Sequence, residues 1–339
     1  MKRMLKMHET YVAAAIIVLA IVISSINSSF LTPENLFDLL NSYSFLGILS
    51  IGMLVVLISG GIDLSFTAVA TVGEYVMAIV ITRSGGNMLL AFGISMVIGV
   101  ALGLFNAALI HIFEIPAVIA TIGTLNAFYG LLIVFSGGKW IYSLPVWFRD
   151  FAQTKVVTFQ NADGVIYGPA SIFLVWMVVV VGVAVLLRRT VLGRQIYAVG
   201  GCGFDKSAAN RVGINLFKIN AVVYGLMGLL AGVAGVVQAL QVQTVAPNSI
   251  VGKELNVIAA VVLGGASLSG GRGTIVGTLL GVALLAVLSN GLTLMRVSSY
   301  WFDVTIGIVI IASVSASALQ QRRKQRSAVD VLSAEEVSA

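Results

Sequence analysis

Long apolar runs separated by short polar turns follow one another along almost the whole chain of 339 residues. A helix needs about 20 apolar residues to cross the hydrocarbon core of a bilayer. The pattern therefore predicts ten membrane segments, with glycine pairs interrupting those near Gly60 and Gly264, at residues 11–30, 43–61, 64–82, 88–112, 115–135, 171–187, 217–240, 254–268, 273–292 and 300–317. We expect an all-α integral membrane protein with some broken helices.

Composition agrees with this interpretation, because 58% of the residues are hydrophobic and 10% are charged, against about 25% charged in soluble domains. The first segment follows the basic start MKRMLK and so resembles a secretory signal peptide. A signal core is about 7–15 residues long and ends at a small-residue cleavage site. This segment is longer and ends in SSINSSF, so we expect it to remain as a membrane anchor.

The distribution of Lys and Arg predicts the orientation, since basic loops stay in the cytoplasm. With ten spans and both termini inside, fourteen of the 20 basic residues are cytoplasmic and six are not. The net charge of +6 is then a topology signal and gives no reason to expect a nucleic-acid partner. We expect a cytoplasmic N-terminus at 1–10, a transmembrane domain at 11–317 with an outer loop at 136–170 and a cytoplasmic loop at 188–218, and a cytoplasmic tail at 318–339.

The two long loops have different chemistry. The outer loop carries Trp140, Tyr142, Trp147 and Phe148, which suits either an anchor at the lipid headgroups or a docking surface for an extracytoplasmic protein. In the inner loop Asp205 is a good N-cap, KSAANRV has the length of two helical turns, and Gly213 can supply a left-handed C-cap. This short helix either reverses the chain or fits a groove on a cytoplasmic partner.

Glycines mark two further patterns. GGIDLS at 60–65 and GGASLS at 264–269 echo each other, and interrupted segments in both halves of a transporter point to a substrate path. Gly273, Gly277 and Gly281 form successive GxxxG steps, which allow close helix packing. That packing is either internal or a dimer contact.

Asp63 is the conspicuous charge within these apolar segments. A carboxylate in mid-membrane costs about 2.5–3.5 kcal/mol on insertion scales, so it is usually paired, in a cavity or near the end of a span. Gly60 and Gly61 allow the chain to turn just before it. Asp63 therefore either caps the next helix or shapes a polar path at this turn.

Several runs together resemble the ribose-type sugar permeases of bacterial ABC importers, and the resemblance covers about residues 33–317: SGGIDLSFTAV, IPAVIATIGTLNAFYG, GRQIYAVGGCGFDKSAANRVGI, and KELNVIAAVVLGGASLSGGRGTIVGTLLGVALLAVLSNGL followed by SSYW. It implies a multi-pass subunit of the bacterial inner membrane that pairs with a second permease copy around a central path. A periplasmic solute-binding protein delivers the solute, and cytoplasmic ABC ATPase subunits drive alternating access. No cofactor and no metal are expected, and membrane lipid surrounds the protein.

The resemblance also implies roles for particular residues. The stretch 205–213 is similar to the segment that couples the permease to its ATPase, with Arg194 and Arg211 as charged contacts, Ala208 and Ala209 allowing close approach, and Asp205 and Gly213 at the ends. Solute would pass by weak hydrogen bonds beside Asp63 and Ser65. Further path candidates, each equally able to bond its own helix backbone, are Asn106, Thr121, Thr124, Asn126, Ser267 and Ser269.

Departures from the common family pattern at Phe66, Thr67, Asn256 and Tyr129 leave the solute open between a sugar and another small hydroxylated molecule. No G-x-x-x-x-G-K-[ST] loop occurs, so ATP is expected to bind a separate subunit. A proton-coupled transporter using Asp63, Glu74 or Glu114 is the main alternative.

An intramembrane enzyme is disfavoured, because the chain has one cysteine and two histidines, and neither paired carboxylates nor a Ser/His arrangement is evident.

Overall fold

The computed structural model describes residues 2–161, 164–203, 207–298, 300–302, 304–308 and 311. Helices dominate these ranges, and a two-stranded hairpin, β1 (Phe159–Gln160) with β2 (Ile166–Tyr167), interrupts them. The helices are α1 (Lys2–Ile26), α2 (Pro33–Ser42), α3 (Ser44–Ile58), α4 (Phe66–Ser84), α5 (Met88–Ile112), α6 (Ala117–Ser136), α7 (Val146–Gln153), α8 (Ser171–Arg189), α9 (Val191–Gly201), α10 (Ser207–Arg211), α11 (Leu216–Val242), α12 (Glu254–Leu263) and α13 (Ile275–Leu294).

Seven helices in the described ranges are long and apolar enough to cross a membrane, namely α1 from His8 onward, α4, α5, α6, α8, α11 and α13. The pair α2 and α3, bent by 49°, forms an eighth candidate span. The predicted span at 254–268 is instead the ten-residue helix α12, which at 1.5 Å per residue is too short to cross alone. Of the predicted span at 300–317 the structure describes 300–302, 304–308 and 311, and the tail at 318–339 lies outside the described residues.

The chain breaks and turns gather at two opposite faces of the bundle. The N-terminal face carries the start of α1, the α3–α4 break, the α9–α10 loop and the α12–α13 break. There His8 Nε2 lies 3.0 Å from the Leu263 carbonyl oxygen. At the opposite face, Asn35 Nδ2 donates to Asn290 Oδ1 at 3.0 Å. Each span therefore runs from one of these two faces of the bundle to the other.

Glycines let α5 and the largely buried helix α11 pack with their backbones in contact. A Cβ atom at Gly99 would lie 2.0 Å from the Gly228 carbonyl oxygen, and one at Gly103 would lie 2.2 Å from the Tyr224 carbonyl oxygen. Ser95 Oγ donates to the Gly232 carbonyl oxygen at 2.8 Å in the same antiparallel seam. Dispersion contacts at this range replace the hydrophobic drive that lipid does not supply.

The row Gly273, Gly277 and Gly281 also lies in contacts inside the chain. A Cβ at Gly277 would lie 2.0 Å from the Gly264 carbonyl oxygen, and one at Gly281 would lie 1.9 Å from that of Ala260. Gly273 faces the side chains of Leu54 and Ile58. These glycines therefore join α13 to α12 and α3.

Gly99→Ala is expected to destabilise the protein, whereas Gly93→Ala on the same helix is not. The Gly99 methyl meets backbone atoms of α11, and overpacking typically costs about 1–3 kcal/mol. At Gly93 no atom lies within 4 Å of the added Cβ, so only the better helix propensity of Ala remains. Thermal unfolding of both purified variants measures the difference; equal midpoints would contradict the tight α5–α11 contact.

Candidate functional site

The α3–α4 break holds Asp63 away from solvent, with 2% of its side chain exposed. Gly60 takes φ 77°, a left-handed conformation that glycine adopts at no steric cost. Asp63 Oδ1 accepts bonds from Ser65 N at 2.8 Å and Ser65 Oγ at 2.7 Å. Ser65, rather than Asp63, occupies the cap position before α4 and makes no side-chain cap bond, so Asp63 acts by closing the turn.

Two neighbouring helices complete this cluster. From α5, the fully buried Asn106 donates from Nδ2 to Ser65 Oγ at 2.7 Å, while its Oδ1 has no partner among the described residues. From α6, Thr121 Oγ1 lies 3.3 Å from the Ile62 carbonyl oxygen and 2.8 Å from that of Ala117 in its own helix. The structure therefore brings four of the predicted path residues, Asp63, Ser65, Asn106 and Thr121, to one break.

The remaining path candidates lie elsewhere. Thr124 is buried one turn beyond Thr121 and donates to the Thr121 carbonyl oxygen at 3.3 Å. Asn126 is exposed and donates to the Ile122 carbonyl oxygen of its own helix at 2.9 Å. Ser267 and Ser269 form a local turn in the α12–α13 break, where Ser269 N donates to Ser267 Oγ at 3.2 Å.

Three glycine breaks meet at the N-terminal face in what we call the glycine junction, formed by Gly60, Gly200, Gly270 and Gly271. Gly271 N donates to the Ile58 carbonyl oxygen at 2.9 Å and so joins the α12–α13 break to the end of α3. A Cβ at Gly200 of α9 would lie 1.7 Å from that same oxygen. The first GGxxLS segment, the glycine pair that directly follows the second, and the predicted coupling loop are thereby in direct backbone contact.

Tyr197 strengthens the junction from α9, by donating from its hydroxyl to the Gly273 carbonyl oxygen at 2.9 Å. Burial raises the pKa of this hydroxyl above its ordinary value, although Arg188 acts in the other direction. The hydroxyl therefore remains a donor at neutral pH. The sequence analysis named Arg194 of α9 as a coupling contact but did not single out Tyr197; the apolar positions Ile196 and Val199, both buried, were the available signal.

The predicted coupling segment is a short exposed helix, α10, following α9. Arg194, Ala208 and Arg211 are exposed, Ala209 is buried, and Gly213 has φ 81° just beyond the helix end. Asp205, the predicted N-cap, lies outside the described residues. The exposed arginines and Ala208 leave this surface open to a partner.

A second set of polar contacts connects α4 to the segment between α11 and α12. Thr67 Oγ1 donates to Glu254 Oε1, and Ser249 Oγ donates to Glu74 Oε2 at 2.8 Å. Thr67 was noted only as a departure and Glu74 only as a candidate for proton coupling. Thr67, Thr71 and Glu74 are four and three residues apart, which places them on one helical face. That spacing was the signal in the sequence that these polar residues act together.

The aromatic residues of the 136–170 loop divide between surface and interior. Trp140 and Tyr142 are exposed and stacked, with ring centroids 5.9 Å apart, whereas Phe148 is fully buried. Ile141 and Val245 exchange backbone hydrogen bonds at 2.8 and 3.0 Å, which fastens the loop to the segment after α11.

Comparison with known proteins identifies the family. The family described as "Branched-chain amino acid transport system / permease component" matches residues 35–314. The chain belongs to this permease family. This confirms the resemblance to permeases inferred from the motifs, and the match covers the chain from within α2 to beyond the end of α13.

Individual relatives of the permease are similar over most of their length. The ribose import permease protein RbsC of Bacillus subtilis (strain 168) is 37% identical over 299 residues, 88% of either chain. RbsC of Escherichia coli (strain K12) is 34% identical and covers 88% of this chain and 90% of its own. The autoinducer 2 import system permease protein LsrC of Salmonella typhi is 29% identical, covering 90% and 84%. No solved structure matches the chain.

Proposed function

We propose that this permease is the membrane subunit of an ATP-driven ABC importer and that it carries a sugar or a similar small hydroxylated solute across the bacterial inner membrane. The glycine junction is the observation that supports this most directly. It places the predicted coupling loop against the breaks of both echoed segments, so a movement of α9 and α10 acts on both at once. Packed backbone contacts transmit such displacements because they deform little.

Two observations support this class of solute: the names of the relatives and the hydrogen-bonding groups at the α3–α4 break. RbsC and LsrC are named for the import of ribose and autoinducer 2. The cluster at the α3–α4 break offers hydroxyl, amide and carboxylate groups, which donate and accept hydrogen bonds without requiring a charged ligand. Asp63, Ser65, Asn106 and Thr121 are the residues we assign to the path, and weak bonds there permit release as well as entry.

The proposed assembly places the N-terminal face in the cytoplasm, in accordance with the excess of Lys and Arg in its loops. A cytoplasmic ABC ATPase docks on Arg194, Ala208 and Arg211. A periplasmic binding protein approaches the opposite face, where Trp140 and Tyr142 are exposed, and a second permease copy completes the central path. ATP is hydrolysed by the partner subunit.

Transport by proteoliposomes tests this function. The permease is reconstituted with its ATPase and binding protein, and uptake of radiolabelled pentoses, hexoses and polyols is measured. We expect uptake to require ATP and both partners and to persist when a protonophore collapses the proton gradient. Uptake that survives without ATP but stops with the protonophore would instead establish the proton-coupled alternative, for which a buried Glu74 is the favouring observation.

Labelling of the only cysteine tests the orientation. Cys202 is partly exposed at the end of α9, where Sγ donates to the Ala198 carbonyl oxygen at 3.3 Å. A membrane-impermeant maleimide is expected to modify it in inverted vesicles and not in spheroplasts, and added ATPase should slow the reaction by covering the coupling surface.

A variant that combines Cys202→Ser with Tyr142→Cys serves as the matched control, because Tyr142 is exposed at the opposite face. It should react from the other side. Modification of Cys202 in spheroplasts would contradict the orientation, and an unchanged rate with ATPase would remove Cys202 from the coupling surface.

A further inference from the structure

One face of α4 is polar although most of the helix lies inside the bundle. Thr67, Thr71 and Glu74 are spaced by four and three residues, which places them on one side of a helix, and none is exposed. Thr71 Oγ1 donates to the Thr67 carbonyl oxygen at 2.7 Å, which satisfies its donor within the helix. Thr67 and Glu74 bond outside α4.

Their partners come from the irregular segment 243–253, which joins α11 to α12, and from Glu254, the first residue of α12. Ser249 Oγ bonds Glu74 Oε2 at 2.8 Å. About two helical turns closer to the start of α4, Glu254 Oε1 accepts bonds from Thr67 Oγ1 and from Gly252 N, the latter at 3.1 Å. We call this line of contacts between α4 and residues 243–254 the α4 seam.

The α4 seam lies well inside the membrane span. Gly73, next to Glu74, packs on Ser95, which is seven residues into α5 and hence about 10 Å from the end of that helix. Irregular backbone is tolerated at such depth only where it is buried in protein or lines a polar cavity. Segment 243–253 leads into the short helix α12, and interrupted segments of this kind surround the substrate in many transporters.

Glu74 lacks one partner. Its Oε1 is buried and accepts no hydrogen bond from any described residue. A buried acceptor left without a donor costs about 1–3 kcal/mol, and more when it is charged. Native proteins keep few such oxygens, and each requires an explanation, such as a donor that another molecule supplies.

A hydroxylated solute supplies that donor. A carboxyl group has an oxygen that accepts hydrogen bonds, so the unpartnered Oε1 of Glu74 matches an O–H group of a neutral polyol or sugar. Glu74 lies eight residues after the start of α4, about 12 Å along the helix from the break that holds Asp63. The two polar clusters thus lie along one helix, at different depths.

We propose that the α4 seam is a second hydrogen-bonding site on the solute path, in which Glu74 accepts a bond from a solute hydroxyl and so contributes to solute selectivity. This inference rests on the proposed function of the permease as an importer of hydroxylated solutes. In the state described here, Ser249 and Thr67 bond the two carboxylates. A passing solute would exchange places with Ser249 when the segment 243–253 moves away from α4.

The test combines a change in the protein with a change in the solute. From a panel of radiolabelled pentoses, hexoses and polyols, the probe that the wild-type complex transports fastest is compared with each of its monodeoxy analogues. Rates are measured in proteoliposomes for the wild type, Glu74→Ala and Glu74→Gln. Because every variant uses the same binding protein, the discrimination by that protein cancels when the parent-to-analogue ratios of two variants are divided.

We expect one monodeoxy analogue to be transported more slowly than the parent solute by the wild type, and this discrimination to fall about tenfold in Glu74→Ala, since one buried hydrogen bond is lost. Glu74→Gln keeps an acceptor oxygen and should retain most of the discrimination. Ser95→Ala removes a buried hydroxyl that lies at a similar depth but bonds α11 and not the α4 seam. It should leave the parent-to-analogue ratio unchanged. Ser249→Ala should also retain it, because Glu74 remains.

The outcomes separate the inference from the function on which it rests. If the wild type transports a panel member but Glu74→Ala discriminates between the solutes as the wild type does, the proposed site at the α4 seam is refuted and the importer function stands. If Ser249→Ala loses discrimination to the same extent as Glu74→Ala, Glu74 acts only by holding the segment, and the proposal is likewise refuted. Failure of the wild type to transport any panel member would overturn the proposed function and the inference together.

Discussion

Replacing Gly200 with alanine is expected to abolish transport and to lower the thermal stability of the protein strongly. The new Cβ would lie 1.7 Å from the Ile58 carbonyl oxygen and 2.7 Å from Gly271 N. These atoms also form the hydrogen bond between the two breaks, so neither can move away without losing it. We expect a cost at or above the upper end of the range of about 1–3 kcal/mol for overpacking, measured by thermal unfolding alongside ATP-driven uptake.

Gly201→Ala is the matched control, because it changes the next residue of the same helix and its Cβ would have no atom within 4 Å. It should fold and transport as the wild type does. If the two variants behaved alike, the glycine junction would not be a tight contact. A Gly200→Ala protein that folds and supports ATP hydrolysis by its partner without transport would show that the junction carries the coupling itself.

Asp63→Ala is expected to reduce transport much more than it reduces the abundance of the protein in the membrane. The substitution removes the acceptor of Ser65 N and Ser65 Oγ, and Ser65 in turn receives the bond from Asn106. Losing a buried acceptor costs about 1–3 kcal/mol, which disorders a turn lined by path residues while the bundle around α5 and α11 remains. Uptake is measured together with immunodetection of the membrane fraction.

Asp63→Asn provides the comparison, because its amide oxygen can still accept from Ser65. We expect this variant to recover a substantial part of the transport. A parallel loss of transport and abundance in Asp63→Ala would mean that the turn serves folding alone, and would exclude Asp63 from the path.

The class of the fold could be predicted from the apolar pattern because crossing a bilayer requires long runs of apolar residues, and such runs are local in sequence. The break near Gly60 was predictable for the same reason, since the glycine pair and Asp63 stand next to each other in the chain. The number of membrane spans was less predictable from the sequence. Segment 254–268 is apolar enough for a span, but its helix ends at Leu263, where Gly264 packs against the backbone of α13.

The candidate site was only partly predictable. Asp63 and Ser65 are separated by one residue, so their turn follows from local chemistry. Asn106 and Thr121 were candidates because polar residues in spans are costly, but equally polar Asn126 points away from the break and bonds its own helix. The apolar pattern around it is continuous, so nothing in the sequence specified which side of α6 would face the other helices.

By itself, the sequence determined the membrane class, the location of the breaks, the helix-forming segments and the permease family, all of which depend on residues close together in the chain or on motifs read in order. Only the tertiary structure decided that Gly60, Gly200 and Gly271 meet and that Glu74 lies beside Ser249. Those contacts join positions up to some two hundred residues apart. A GxxxG spacing indicates that a helix can approach another closely, but which glycines of which helices meet depends on packing between distant parts of the chain.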